Sequence, residues 1–174
     1  MTTVAIIGAG PLGRWLALRA ARAGFRVLLE DVMPANLHHA REAIREELNP
    51  RALPAVDFVS SIEDAVREAD LVIDCVPDEL ESKLEILWLL DRMAPPRTVI
   101  ATPTTNLSIA DLAGCTYRPD KCVAIAMAPM ELMAGVGPGV VLRAAPAASE
   151  ESLALVCDFW RGLGFEAMVE QSAS

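Results

Sequence analysis

The sequence predicts an α/β protein with a mostly parallel β-sheet and helices on both faces. Apolar runs of strand length alternate with stretches of helical period along the 174 residues, which is the pattern of successive β-α-β units. Hydrophobic residues make up 53% of the chain, yet the longest apolar runs are interrupted before they could span a bilayer. We expect one domain over residues 1–174, with 170–174 as a disordered tail or the start of a linker.

The strands are predicted from short apolar runs bounded by turn residues, and the helices from the stretches between them. Pro11 in the first turn and Gly24 at the end delimit the first helix. Ser61, with Asp64 three residues later, gives the third helix a start that resembles a capping box. The predicted strands are 3–7, 26–30, 57–59, 71–76, 98–101, 122–127, 139–143 and 165–169, and the helices are 11–23, 34–48, one from 61, 78–93 and 149–163.

Charge and cysteine usage exclude some classes of partner. A net charge of −9 disfavours nucleic acid and anionic lipid, because both attract cationic surfaces. The four cysteines contain no CxxC pair and are interpreted as free, mostly buried thiols in a reducing compartment. The N-terminal residues begin a strand without the pattern of a signal peptide. We therefore expect a cytoplasmic protein without membrane or nucleic-acid partners, and no metal site.

The segment VAIIGAGPLG is the strongest functional signal. A predicted strand runs directly into Gly8, Gly10 and Gly13, and a helix follows, which is the context that a dinucleotide-binding turn requires. Gly8 permits the tight turn, Gly10 lets a pyrophosphate approach the backbone, and Gly13 lets helix and strand pack closely. The phosphates would lie at the helix N-terminus, at Pro11 and Leu12. These residues predict a Rossmann-type, doubly wound dinucleotide-binding domain.

The second predicted strand indicates which dinucleotide is bound. Asp31 follows RVLLE at about the distance at which an acid receives the adenosine ribose hydroxyls. No Arg or Lys occurs in the following VMPANLHH to meet a 2′-phosphate. The sequence therefore favours NAD over NADP.

Three later segments make the resemblance specific: LVIDCVPDELESK, TVIATPTTNLSIADLA and RPDKCVAIAMAP. Together with GAGPLG they resemble, in order and over nearly the whole chain, the NAD-binding domain of the 3-hydroxyacyl-CoA dehydrogenase family. The resemblance implies NAD as cofactor, a small hydroxyacyl or hydroxy-acid substrate, and a place in fatty acid metabolism. It also implies a helical C-terminal domain after the point where EAMVEQSAS ends, so the substrate domain is expected to be missing.

The same resemblance assigns further cofactor contacts. Val76 and Pro77 would pass beneath the nicotinamide half of the cofactor, and Lys83 would lie near the cofactor or the CoA end. Thr104 is also predicted to bind the cofactor. The alternative for Asp78 and Lys83 is a solvated first helical turn.

The catalytic positions depart from the family pattern. Thr105 lies where the family has its catalytic Ser and keeps a hydroxyl group. Ala126, or Ile125 under a second alignment, lies where the family has the His that accepts the substrate proton. The chain's histidines are His38 and His39, on the predicted helix after the second strand. Because a positioned general base contributes about 10²- to 10⁴-fold, we expect impaired rather than absent catalysis from this loss alone.

The acid that orients the family's His is also replaced. Val140 or Pro138 occupies its place, and Glu131 is the nearby acid. Met127, Met130 and Met133 recur at spacings of three in the same region, which could form an adaptable apolar surface over 127–141. We expect this surface to be covered by a homodimer partner or another protein; a methionine-rich core is the alternative.

Three functions stay open at this point. The chain is an NAD-binding oxidoreductase domain with an altered site, a noncatalytic NAD(H)-binding regulatory or assembly module, or a structural protein in which the glycine turn is unused.

Overall fold

The computed structural model describes residues 1–48, 56–135 and 139–171. In these residues one sheet is flanked by seven α-helices and a short 3₁₀ turn, Pro119–Lys121. The strands are β1 (Thr3–Ile7), β2 (Arg26–Glu30), β3 (Val56–Val59), β4 (Leu71–Asp74), β5 (Val99–Pro103), β6 (Cys122–Ile125), β7 (Gly139–Ala144) and β8 (Glu166–Gln171). The helices are α1 (Pro11–Arg22), α2 (Pro34–Glu47), α3 (Ile62–Val66), α4 (Leu80–Met93), α5 (Ile109–Gly114), α6 (Pro129–Ala134) and α7 (Glu150–Gly162).

The sheet is eight-stranded, in the order β3-β2-β1-β4-β5-β6-β7-β8. Every neighbouring pair is parallel except β6 and β7, which are antiparallel. The chain winds outward from β1 to β3 and then returns to β4 on the other side of β1, which creates a crevice at the carboxyl ends of β1 and β4. The predicted doubly wound α/β fold is confirmed.

Two apolar clusters hold the helices against the two faces of the sheet. Side chains of α1, α2, α6 and α7 pack on one face with alternate residues of the strands, such as Ile6 and Leu29. Side chains of α3, α4 and α5 pack on the other face with residues such as Ile7 and Ile100. Because neighbouring strand residues point to opposite faces, a sheet buried on both sides needs continuous apolar strands, and β1 is buried throughout.

The turn between β1 and α1 requires glycine at two positions. Gly8 has a φ of +105°, a conformation that L side chains rarely adopt. A Cβ on Gly13 would lie 1.8 Å from the Gly8 carbonyl oxygen, so helix and turn are in direct backbone contact. A Cβ on Gly10 would meet no atom within 4 Å. The space in front of Gly10 is therefore open.

Several element boundaries differ from the sequence-based prediction. β4 ends at Asp74 rather than at 76, and α4 begins at Leu80 rather than at 78. The helices α5 and α6 were not predicted; each has six residues, which is too short for a helical period to stand out. The third helix does begin as predicted, since Ser61 Oγ accepts a hydrogen bond from Asp64 N at 3.2 Å.

The expected tail from residue 170 is wrong for its first two residues. Glu170 and Gln171 belong to β8 and pair with Arg143 and Ala144 of β7, so their backbone has partners in the sheet. Residues 172–174 lie outside the described part of the chain. No helix among the described residues is long and apolar enough to cross a membrane.

The four cysteines differ in burial. The thiols are all free in the structure. Cys122 and Cys157 are buried and Cys75 is half-buried, whereas Cys115 is exposed. Burial raises the pKa of the Cys122 thiol to about 11, so this side chain acts as a small apolar group at neutral pH.

Replacing Gly13 by Ala is expected to destabilise the fold by about 3 kcal/mol or more, because the new methyl group would collide with the Gly8 carbonyl. Gly10→Ala is the matched control, since its methyl group enters open space and Gly10 already has extended backbone angles; its effect should stay within about 1 kcal/mol. Urea unfolding measures both. Equal stability of the two variants would contradict the close-contact interpretation.

Candidate functional site

The candidate site lies at the carboxyl ends of the central parallel strands. The glycine turn follows β1, Asp31 follows β2, Val76 and Pro77 follow β4, and Thr104 follows β5. Because β2, β1, β4 and β5 are consecutive in the sheet, the structure brings the ends of these strands to one edge. Val76 is half-buried against the core on the α3 and α4 side, and Pro77 is exposed above it.

The N-terminus of α1 presents free backbone donors to this edge. Gly10 is the N-cap residue and makes no side-chain capping bond, and Pro11 occupies the first turn. Leu12, in the first turn of α1, has a buried side chain. An uncapped N-terminus of a 12-residue helix, with open space in front of Gly10, suits an anion. The residues present therefore fit the diphosphate of a dinucleotide.

Asp31 ties the end of β2 to the glycine turn. Its Oδ2 accepts a hydrogen bond from Ala9 N at 2.9 Å and one from Asn36 Nδ2 at 3.0 Å. Its Oδ1 accepts from Met33 N at 2.8 Å. The carboxylate thus fixes the turn and the start of α2, and its position after β2 is the one that suits a ribose contact.

Lys83 and Asp74 form a buried ion pair beneath the segment after β4. The Lys83 Nζ lies 2.6 Å from Asp74 Oδ1, and the two side chains are 1% and 0% exposed. The alternative of a solvated first turn is therefore wrong for Lys83, because its ammonium group turns inward to a carboxylate rather than outward to water. The predicted contact of Lys83 with the cofactor stays a prediction.

Asp78 joins the segment after β4 to the segment after β5. Its Oδ2 accepts from Thr105 N at 2.9 Å and from Thr105 Oγ1 at 3.3 Å. The hydroxyl of Thr104 is buried and accepts from Leu107 N at 3.1 Å. Thr104 therefore shapes its own loop, and the exposed Thr105 presents its hydroxyl beside a carboxylate.

A row of polar side chains that sequence reasoning missed crosses the α3 and α4 face. Glu30 lies opposite Ile7 in the sheet register, and Ile7 lies opposite Asp74; Thr102 is near the same level on β5. Within the described residues, Glu30 Oε1, Asp74 Oδ2 and Thr102 Oγ1 are buried and have no hydrogen-bond partner. The available signal was an acid ending each of two apolar strands, RVLLE and LVID.

Burial perturbs both of these acids. Loss of hydration, helped by the neighbouring Asp31, raises the pKa of Glu30 from 4.5 to about 7. Loss of hydration also raises the pKa of Asp74, against the opposing effect of the Lys83 ammonium group. Ionising these carboxyl groups therefore costs free energy. The Lys83 ammonium group offsets that cost for Asp74 but not for Glu30.

The expected base position carries no titratable side chain. Ile125 is buried in β6 and Ala126 follows it, with Ala126 N donating to Val141 O at 2.8 Å. His38 and His39 are exposed on α2, as predicted.

The methionine-rich surface is smaller than the sequence indicated. Met127 and Met133 pack against the apolar core, whereas Met130 is 76% exposed. Met127 precedes the short helix α6, which carries Met130 and Met133. Residues 136–138 of the proposed 127–141 surface, including Pro138, lie outside the described part of the chain.

Comparison with known proteins identifies the family. The model of the 3-hydroxyacyl-CoA dehydrogenase NAD binding domain matches residues 3–172. The chain belongs to this family. Its cofactor is accordingly NAD.

Individual relatives support this family assignment. The chain is 29% identical over 133 residues to a probable 3-hydroxybutyryl-CoA dehydrogenase of Bacillus subtilis, covering 69% of this chain and 46% of that protein. It is 29% identical over 180 residues to the mitochondrial hydroxyacyl-coenzyme A dehydrogenase of Sus scrofa, covering 92% and 56%. The crystal structure of a 3-hydroxyacyl-CoA dehydrogenase from Archaeoglobus fulgidus superposes with a TM-score of 0.80 at 27% identity, covering 100% and 58%. The chain thus spans about half the length of the curated relatives it matches.

Replacing Lys83 by Met is expected to lower the free energy of unfolding by about 3–5 kcal/mol, because it leaves the Asp74 carboxyl buried without its cation. The double variant Asp74→Leu/Lys83→Met should recover most of that loss. Arg67→Met is the control, since Arg67 pairs with Asp64 at an exposed position, and it should cost at most about 1 kcal/mol. Chemical denaturation at neutral pH gives all three values. A double variant as unstable as the single one would count against the pairing.

The raised pKa of Glu30 predicts a pH-dependent stability difference from Glu30→Gln. The folded chain holds this proton more tightly than the unfolded chain, so the contribution is complete below pH 4.5 and is lost as pH rises through about 7. The wild type should therefore lose about 2–3 kcal/mol relative to the variant across this window. Unfolding curves at pH 4.5 and pH 8 measure the difference, and a constant difference would contradict the buried-acid interpretation.

Proposed function

We propose that the chain binds NAD(H) at the carboxyl edge of β1, β2, β4 and β5 and serves as the cofactor domain of a hydroxyacyl-CoA-type oxidoreductase. The observation that supports this most strongly is the uncapped α1 N-terminus in front of Gly10. The turn residues Gly8 to Gly13 would bind the diphosphate, and Asp31 would accept hydrogen bonds from the adenosine ribose.

The nicotinamide half is proposed to lie over the segments after β4 and β5. Val76 and Pro77 would form its floor, with Thr104 and Lys83 shaping the loops around it. Bound NAD supplies a hydride acceptor, and the substrate class suggested by the relatives is a small 3-hydroxyacyl-CoA. Thr105 would position the substrate oxygen, because its hydroxyl is exposed and held by Asp78.

A noncatalytic NAD(H)-responsive module is the second candidate. The specific observation in its favour is the apolar pair Ile125 and Ala126 at the expected base position, where neither side chain can accept a proton. Under either candidate we propose a cytoplasmic protein. A role in fatty acid metabolism belongs to the first candidate alone.

A homodimer is also proposed, through the apolar side chains exposed on α6 and β8. Met130 is 76% exposed, and Met168 and Val169 on the edge strand are 48% and 43% exposed. Exposed apolar side chains on an edge strand favour association with a partner.

Replacing Gly10 by Val tests the cofactor site. The new side chain fills the open space at the α1 N-terminus and is expected to weaken NAD binding by about 100-fold, equivalent to about 2.7 kcal/mol. Isothermal titration with NAD, NADH and NADP measures the effect, and NADP should bind the wild type much more weakly. Gly114→Val is the matched control, since its side chain would also enter open space, on the remote α5.

The outcomes separate the candidates. Unchanged NAD affinity in folded Gly10→Val would overturn the proposed site. Binding of NADH with oxidation on addition of acetoacetyl-CoA supports the oxidoreductase, and loss of that oxidation in Thr105→Val would assign Thr105 its role. Binding without any oxidation supports the noncatalytic module.

A further inference from the structure

Glu30 is a buried acid that has no role in the proposed NAD site. It is the last residue of β2, its side chain is 2% exposed, and its Oε1 has no partner among the described residues. Its register neighbours on the two adjoining strands are Ile7 and Val59, both apolar. Burial of a carboxyl oxygen without a partner in such surroundings disfavours the charged form of Glu30 relative to the neutral one.

The backbone connects Glu30 directly to the turn that would bind the diphosphate. The Glu30 carbonyl oxygen accepts a hydrogen bond from Gly8 N at 2.8 Å. The next residue, Asp31, accepts from Ala9 N at 2.9 Å. Glu30 and Asp31 therefore accept hydrogen bonds from the first two N–H groups of the turn, so the end of β2 is in direct contact with the segment that would hold the diphosphate.

Two electrostatic effects follow when a dinucleotide binds there. Its diphosphate brings negative charge toward Glu30, and its adenosine half removes water from the end of β2. Both effects disfavour a second negative charge at Glu30. Binding and protonation must then favour each other, because linkage is reciprocal.

We propose that Glu30 couples NAD binding to the uptake of a proton, so that the affinity for NAD falls as pH rises through neutrality. The proton comes from solvent and joins the Glu30 carboxylate when the cofactor binds. The inference rests on the proposed NAD site and adds its regulation by pH. Glu30 is a positioning residue in this scheme, since it acts through the turn and need not touch the cofactor.

The charged surroundings of Glu30 support this direction. Burial and the neighbouring Asp31 raise its pKa to about 7 in the absence of cofactor, so a further rise on binding falls in the neutral range. Asp74, one strand beyond Ile7, is paired with Lys83. The acids and histidines of β3, α3 and α2 are exposed, namely Asp57 on β3, Glu63 and Asp64 on α3, and His38, His39, Glu42, Glu46 and Glu47 on α2.

The test is calorimetric titration of the wild type with NAD at pH 6.0 and pH 8.5, each in two buffers that differ in ionisation enthalpy. The affinity is expected to fall by about tenfold between the two pH values, the limit for a rise of one unit in a single pKa. Titrations at pH 7.5 should show net proton uptake. Glu30→Gln should remove both the uptake and the pH dependence.

Two controls assign the effect to Glu30. His38→Gln/His39→Gln should keep the pH dependence, which excludes the imidazoles as its source. Glu63→Gln, an exposed acid on α3, should keep it as well. If Glu30→Gln does not fold, the wild-type proton uptake together with the histidine variant still decides the question.

The outcomes distinguish this inference from the proposed function. NAD binding with no pH dependence, or with an equal dependence in Glu30→Gln, overturns the role of Glu30 and leaves the NAD site intact. Loss of the dependence in the histidine variant would also overturn it. No NAD binding at either pH overturns the site and the coupling together.

Discussion

The rest of the structure depends on the close approach of helix α1 to the glycine turn, where a Cβ on Gly13 would lie 1.8 Å from the Gly8 carbonyl oxygen. This contact sets the angle at which α1 leaves β1 and directs the helix N-terminus at the edge of the sheet. With the turn so placed, Gly8 N reaches the Glu30 carbonyl and Ala9 N reaches the Asp31 carboxylate. The ends of β1 and β2 are thereby fixed relative to each other, and the helix presents free N–H groups rather than a capped terminus.

The buried charges of the protein lie mainly along this same edge. Asp74 and Lys83 form a pair that water does not reach, whereas Glu30 Oε1 has neither a cation nor a donor within the described ranges of the chain. Burying ionisable groups costs stability unless they are paired or neutral. The cost of burial is reduced differently for the two acids, since Asp74 is paired with a lysine and Glu30 has a raised pKa that favours its protonated form. The Lys83 side chain pairs with the last residue of β4, and so fixes the strand end from which the exposed Pro77 and Asp78 follow.

The two halves of the site differ in chemical character. The ends of β1 and β2 have an uncapped helix N-terminus and a carboxylate, the groups that suit a dinucleotide. At the other end, Asp78 and Thr105 are hydrogen-bonded, while β6 ends at Ile125 and is followed by Ala126. An apolar strand end offers packing but no proton acceptor, so binding and chemistry are separable questions for this chain.

Sequence alone determined the alternation of strands and helices, the glycine turn and the acid after β2, because these depend on local periodicity and on spacing between near neighbours. The family resemblance also predicted Lys83, Thr104 and Thr105 as site residues. The tertiary structure decided what those side chains contact: Lys83 turns inward to Asp74, and Asp78 holds Thr105 across 27 residues of sequence. It alone showed that Glu30 and Asp74 lie in one row on either side of Ile7. Local pattern cannot show such a row, because its members meet only when three strands distant in sequence align in one sheet, and their burial depends on helices packed over them.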